Sequence, residues 1–187
     1  MTAKEQSILD AALSLFVSNG FHGTPTALIA QKAEVSNGTL FHYHKSKEAL
    51  VKTLYTCIVT EYQEATLDGE QDIESIKEKV RLLWKQSIDW AFENRDKYHF
   101  ILQYKYSTTK QDKKTDQVGN LKKRFADITE KGIQQKLIAH RPDDFIFSMF
   151  EANQYGMMSY LLENPVKYRM PEFMKQAFTW FWDGISA

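Results

Sequence analysis

Apolar residues recur at three- and four-residue spacing along nearly the whole chain, the signature of amphipathic helices. The first stripe is Ile8, Leu9, Ala12, Leu15 and Phe16. Thr2 and Glu5 ahead of it fit a capping box, in which each side chain satisfies the other's free backbone N–H. Asn19-Gly20 ends that helix. Thr24-Pro25 reads as an N-cap followed by proline at the first helical position, opening a short helix to about Ala33. Ser36 caps a third helix of two turns, Asn37 to about Tyr43. Lys45-Ser46-Lys47 opens a long fourth helix to roughly Leu67, closed by the acidic turn Asp68-Gly69-Glu70-Gln71-Asp72.

Beyond that turn, Asp72 is the expected cap of a helix carrying Ile73, Ile76, Val80, Leu83, Trp84, Ile88 and Ala91 on one face. A helix from about Asp96 to Tyr106 follows. Residues 107–116 (STTKQDKKTD) contain no apolar side chain and read as an exposed loop. Another helix runs to about Ile138, the next from Pro142-Asp143-Asp144 to Asn164-Pro165, and the last from Pro171 to about Ile185. No segment alternates with period two. The expectation is an all-α protein of about nine helices, with a three-helix head over 1–46 and a helical body over 47–187. The helix 47–67 connects the two.

Composition narrows the class. The 187 residues are 43% hydrophobic and 13% aromatic, too apolar for disorder. No apolar run approaches the roughly 18 residues of a membrane span, and one Cys builds no disulfide framework. A cytoplasmic location without a membrane partner is the expectation. Lys+Arg and Asp+Glu both number 24, so the net charge is zero. That excludes a bulk polycation, but the charge is unevenly spread: 1–55 carries 5 basic and 4 acidic residues, 105–141 carries 10 and 4. The basic run Lys110, Lys113, Lys114, Lys122, Lys123 and Arg124 reads as a solvated loop and helix face. Cys57, mid-helix beside Ile58 and Val59, reads as inert packing.

The short third helix is the informative element. Val35, Leu40 and Phe41 are its expected apolar contacts with Leu28, Ile29 and Ala33, leaving Asn37, Thr39, His42 and Tyr43 to point outward. Such a helix suits a DNA major groove: Asn reads adenine edges, a Thr methyl meets a thymine methyl, and hydroxyls reach phosphate. Lys45 and Lys47 follow at the next helix's N-terminus, whose free N–H groups also bind phosphate. His42 and His44, two apart, share no helix face and make no metal pair. No metal, cofactor, nucleophile–base pair or phosphate loop is indicated, so no enzyme is expected.

Ile8-Leu9-Asp10-Ala11-Ala12, Leu15-Phe16, Gly20-Phe21, Thr24-Pro25-Thr26, Ile29-Ala30, Val35-Ser36, Gly38 to Tyr43 and Lys45 to Leu50 together resemble the DNA-binding head of the TetR (tetracycline repressor type) family. The resemblance covers about residues 5–55. It implies that Thr26 contacts phosphate, that Asn37, Gly38, Thr39 and His42 face the groove, that Tyr43 contacts the backbone or a base, and that Lys47 clamps a phosphate, with Ser36 and Lys45 beside them. Four positions depart from the pattern: Glu34 where Gly is usual in the turn, Ala27 where a polar contact is common, Phe41 for Tyr and His44 for Phe. A left-handed Glu34 would cost roughly 1 kcal/mol relative to Gly.

The rest of the chain fits the family's plan of a helical effector-binding and dimerisation body. Trp84, Ser87, His99, Gln103, Phe150, Glu151 and Gln154 are the candidate effector contacts, with Gln86 and Asn153 as further polar groups in an apolar setting. The helix from Asp143 is apolar nearly all round, which points to burial against its own core and a second subunit. Phe147, Tyr155, Gly156, Met158, Phe173, Ala177, Trp180 and Phe181 are the candidate dimer contacts. The resemblance thus implies a homodimeric regulator, a repressor released from a pseudo-palindromic double-stranded DNA operator by a small, largely apolar or aromatic effector. Its two heads would lie about one DNA turn, roughly 34 Å, apart. The residues themselves fix no sign of regulation, and they are also compatible with an effector-independent architectural DNA binder or a helical small-molecule carrier.

Overall fold

The computed structural model describes residues 1–66, 69, 72–107 and 119–187. Most of the expected acidic turn, and the polar stretch 108–118 with Lys110, Lys113 and Lys114, lie outside the described residues. Ten helices are present among those described: α1 Ala3–Asn19, α2 Thr26–Lys32, α3 Asn37–Tyr43, α4 Lys47–Thr66, α5 Ile76–Glu93, α6 Arg95–Ser107, α7 Gly119–Gln134, α8 Asp143–Glu163, α9 Pro165–Tyr168 and α10 Pro171–Ile185. The all-α expectation holds, and the tenth helix is the single turn α9, which Pro165 opens inside the expected Asn164–Pro171 break. No described helix is long and apolar enough to cross a membrane.

Several helix ends differ from the sequence reading for local reasons. Thr24 does not cap α2. Its buried hydroxyl donates to the carbonyls of Gly20 at 2.8 Å and Leu15 at 3.2 Å, tying the loop back to α1, and α2 begins after Pro25. The α5 helix starts at Ile76 rather than at Asp72, with the Ser75 hydroxyl accepting the Glu78 N–H at 3.4 Å. The α7 helix stops at Gln134, short of Ile138, where Lys136 turns left-handed at φ 58. Thr2 accepts the Glu5 N–H at 3.2 Å, the first half of the expected capping box.

The helices form two compact units. The first gathers Met1–Glu61 with α6, and so reaches past residue 46 into α4. Its core is Ile8, Leu9, Ala12, Phe16, Ile29, Leu40, Leu50 and Phe100, all buried. The Phe100 ring lies 5.4 Å from Phe21 and 6.1 Å from Phe16, seating α6 on α1. Tyr104 stacks on Tyr55 at 3.9 Å, and Lys97 pairs with Glu61 at 2.7 Å, so α6 is held to α4 as well.

The second unit holds Tyr62–Glu93 with α7 to α10. In it the apolar face of α5 buries Val80, Leu83, Trp84, Ile88 and Ala91. Phe125, Phe147, Phe150 and Phe181 form an aromatic cluster with centroids 4.6–6.1 Å apart, each ring contributing about 1.5–3 kcal/mol by burial. The chain end is pinned where Ala139 N–H donates to the Ile185 carbonyl at 2.9 Å. Gly132 permits this closure, since a Cβ there would meet Ile138 Cδ1 at 2.6 Å.

Candidate nucleic-acid interface

The turn between α2 and α3 sets the geometry of the head. The Val35 N–H reaches the Ala30 carbonyl at 3.0 Å and the Glu34 N–H reaches Gln31 at 3.1 Å, the paired bonds of a Schellman cap. Such a cap requires one left-handed residue, and Glu34 supplies it at φ 56. The position where glycine is usual is therefore left-handed here too, with a side chain that resists it.

Ser36 then starts α3. Its hydroxyl oxygen accepts the Thr39 N–H at 3.1 Å and lies 2.9 Å from Thr39 Oγ1. Only Leu40 of α3 is buried. With about 100° between successive residues, Gly38 and His42 lie opposite Leu40, Phe41 and Thr39 to either side, and Asn37 and Tyr43 nearer to Leu40; Asn37, Gly38, Phe41 and His42 are all exposed, while Thr39 and Tyr43 are half-buried. Phe41 thus corrects the sequence reading. It is 41% exposed instead of packing on α2, and Leu28, its expected partner, is exposed as well. The signal was available: Phe41 follows Leu40 directly and so lies about 100° around the helix from the one buried position.

Two contacts orient the flanking groups. Tyr43 Oη accepts from Thr2 Oγ1 at 3.0 Å, which fixes the phenol against the start of α1 and leaves its own proton to donate. His42 meets Tyr43 edge-on at 5.6 Å. Behind them His44 is 3% exposed and packs beneath the helix, so the two histidines face opposite ways. Burial pushes the His44 imidazole below its ordinary 6.5, with the nearby Glu5 carboxylate opposing, and its Nε2 has no hydrogen-bond partner among the described residues. Ser46 caps α4 by accepting the Ala49 N–H at 3.1 Å. Lys45 is exposed and Lys47 half-exposed beside that cap, and Thr26 is half-buried at the start of α2. All nine sequence-designated head residues therefore lie in the first unit, on α3 or at the starts of α2 and α4.

The expected effector contacts are divided. His99 and Gln103 belong to α6 in the first unit, where His99 is exposed rather than internal and Gln103 donates to the Val17 carbonyl at 3.4 Å. The other five lie in the second unit. Trp84 and Phe150 are core, Gln154 donates to the Trp84 carbonyl at 3.2 Å, and Ser87 is buried. Burial pushes the Tyr62 phenol up to about 12, the Ser87 hydroxyl pulls it down and the Glu151 charge adds to the rise. Tyr62, Ser87, Glu151 and Gln154 thus form one internal polar group, of which the sequence reading missed Tyr62. Among the expected dimer contacts, Phe147, Met158 and Phe181 are buried in their own unit and present no surface. Tyr155, Gly156 and Trp180 are exposed, and Phe145 and Met149, which were not anticipated, join them.

A two-turn outward helix, held by a left-handed turn on the helix before it and followed by lysines at a capped helix start, defines a helix-turn-helix module. Residues 8–54 match the family described as bacterial regulatory proteins, tetR family. The HTH-type transcriptional regulator RutR of Escherichia coli K12 is 36% identical over 98 residues, 51% of this chain and 46% of RutR. The chain spans about half the length or less of the curated relatives it matches. A tetR family transcription regulator from Shewanella sp. PV-4 superposes with a TM-score of 0.90 at 29% identity, over 100% of both chains. The fold is also that of the regulator FadR from Bacillus subtilis, crystallised with stearoyl-CoA, with a TM-score of 0.80 at 20% identity over 96% of this chain and 98% of FadR. The head, residues 8–54, is that of the tetR family of bacterial regulatory proteins, and the chain as a whole superposes on a tetR family transcription regulator.

Proposed function

We propose that this protein is a cytoplasmic, ligand-responsive repressor that binds a pseudo-palindromic operator as a homodimer. The observation that carries the reading is the outward face of α3, where Asn37, Gly38, Phe41 and His42 stand exposed around a helix narrow enough for the major groove. Asn37 reads a base edge, the Phe41 ring and the Thr39 methyl meet thymine methyls, and His42 donates or accepts at a base or phosphate. Thr26, Tyr43, Lys45 and Lys47, with the first N–H groups of α4, hold phosphates on either side. In this reading residues 1–46 recognise DNA, and the remainder binds the effector and the second subunit.

The second subunit is supported by an uncharged stripe on α8. Phe145, Met149, Ala152, Gly156 and Ser159 are all exposed at helical spacing, and Trp180 on α10 is 87% exposed. Apolar surface of this kind is covered in a stable homodimer. The effector reading is supported by the internal polar group around Ser87 and Gln154, where Gln154 Oε1 has no hydrogen-bond partner among the described residues. FadR, with the same fold, was crystallised with an acyl-CoA. An effector favours one of two body states and lowers DNA affinity by its differential binding to them.

The test is fluorescence anisotropy with the intact protein and the DNA flanking its own gene. Saturable binding that tightens at low salt and collapses in a Thr39→Ala/Lys47→Ala variant supports the proposal, and binding indifferent to both removes it.

A further inference from the structure

A groove of about 660 Å³ runs between α5 and α10 in the second unit and is bounded at one end by the α9–α10 link. Its volume falls in the range of small-molecule sites. The apolar lining is Trp84, Met174 and Phe178, each itself mostly buried. Around it stand five cations, Lys77, Arg81, Lys85, Arg169 and Lys175, against two carboxylates, Glu78 and Asp89.

The carboxylates are already engaged. Glu78 receives Arg81 Nε at 2.6 Å, and Asp89 receives Lys85 at 2.5 Å and the Tyr168 hydroxyl at 3.0 Å. Lys77 sits 5.4 Å from the Trp182 ring, a cation on an aromatic face with no ion-pair partner among the described residues. Arg169 and Lys175 are exposed and have no ion-pair partner among the described residues. The groove therefore carries a surplus of three positive charges beside an apolar lining, in a chain whose net charge is zero.

An apolar cleft with uncompensated cations at its rim is complementary to one chemistry, a small molecule with an apolar body and an anionic head. We infer that this α5–α10 groove binds an anionic amphiphile, its acyl or aromatic body on Trp84, Met174 and Phe178 and its carboxylate or phosphate at Arg169 and Lys175. The site is separate from the internal polar group around Ser87 and Gln154. It stands whether or not the ligand alters DNA affinity, so its test needs no DNA.

Titration calorimetry on the intact protein would use octyl phosphate, octanoate, octan-1-ol and inorganic phosphate. One or both octyl anions are expected to bind once per chain, at least tenfold more tightly than the alcohol or inorganic phosphate, and more weakly as salt rises. Preference between the two anions identifies the head group. Arg169→Glu/Lys175→Glu, at exposed positions, should weaken the anions at least tenfold and leave the alcohol unchanged. Thr179→Trp, which places a large ring in the groove, should remove binding of all amphiphiles with the thermal midpoint kept. Absence of saturable anion binding, equal affinity for the alcohol, or anion affinities untouched by both variants would each overturn the assignment.

Discussion

The indole N–H of Trp84 donates to the Asn153 side-chain carbonyl at 2.7 Å, and the neighbouring Gln154 amide donates back to the Trp84 main-chain carbonyl at 3.2 Å. These two bonds clamp α5 to α8 and account for Asn-Gln in an otherwise apolar helix. Asn153→Ala leaves a buried indole N–H unsatisfied, which costs about 1–3 kcal/mol. Urea unfolding followed by tryptophan fluorescence should show the unfolding free energy falling by that amount, through a lower midpoint at unchanged m. In a Trp84→Phe background the same substitution should cost less, because the donor has gone. Equal costs in both backgrounds would exclude the clamp.

Glu34 occupies the left-handed position of the α2–α3 turn at φ 56. Its side chain is exposed, so removing it gives up no core contact. Glu34→Gly should stabilise the head by about 1 kcal/mol, whereas Glu34→Ala, which keeps a Cβ, should not. Thermal unfolding of the two variants separates conformational strain from a charge effect, since both remove the carboxylate.

His44 couples head stability to pH. Burial favours its neutral form, so its folded pKa lies below the unfolded 6.5. Between those values the unfolded chain binds more protons and stability rises with pH. His44's neutral state is therefore fully tolerated above 6.5, and stability is lost as pH falls from 6.5 through the lower folded value. His44→Phe should be indistinguishable from wild type in slope above neutrality and flatter as pH falls below 6.5. Parallel melting curves across that range would refute the role.

The head was legible because its determinants are local. Caps, the Gly20 and Pro25 breaks and the Leu40 register are set within a few residues of one another, and even the Glu34 strain follows from the turn alone. Phe41 was misread because an aromatic residue was assigned to a core by type, without its angle from Leu40. The placement of α6 was not legible: nothing local to Phe100 says that it meets Phe16, more than eighty residues earlier. On α10 the spacing of Met174, Phe178, Phe181 and Ile185 does separate Phe181 from Trp180, but on α8 Phe147 and Met158 could not be sorted from Tyr155. A helix apolar on nearly every face carries no periodicity to say which face meets its own unit.

The exposed stripe on α8 and α10 gives a direct prediction of assembly. Met149→Glu or Trp180→Glu would place a desolvated charge in the proposed subunit contact, a cost of several kcal/mol for an unpaired ion. Both side chains are exposed in the single chain, so the fold should survive, as circular dichroism would show. Light scattering should report a dimer for wild type and a monomer for either variant at micromolar concentration. A dimer that withstands both substitutions would place the interface elsewhere.

The head's low charge forecasts how DNA binding responds to salt. Residues 1–55 carry only 5 basic side chains, and of these Lys45 and Lys47 belong to the proposed interface. Each phosphate neutralised contributes about −0.9 to the slope of log K against log salt. Lys47→Ala should therefore weaken all sequences alike and reduce the slope by about 1 per head, while Asn37→Ala should leave the slope intact and cost about 1–3 kcal/mol at one base pair. Anisotropy titrations at four salt concentrations, on the operator and on a scrambled duplex, distinguish the two effects. If Asn37→Ala weakens the operator and the scrambled duplex equally, α3 does not read bases through Asn37, and specificity must rest on Phe41, His42 and the flanking Thr39.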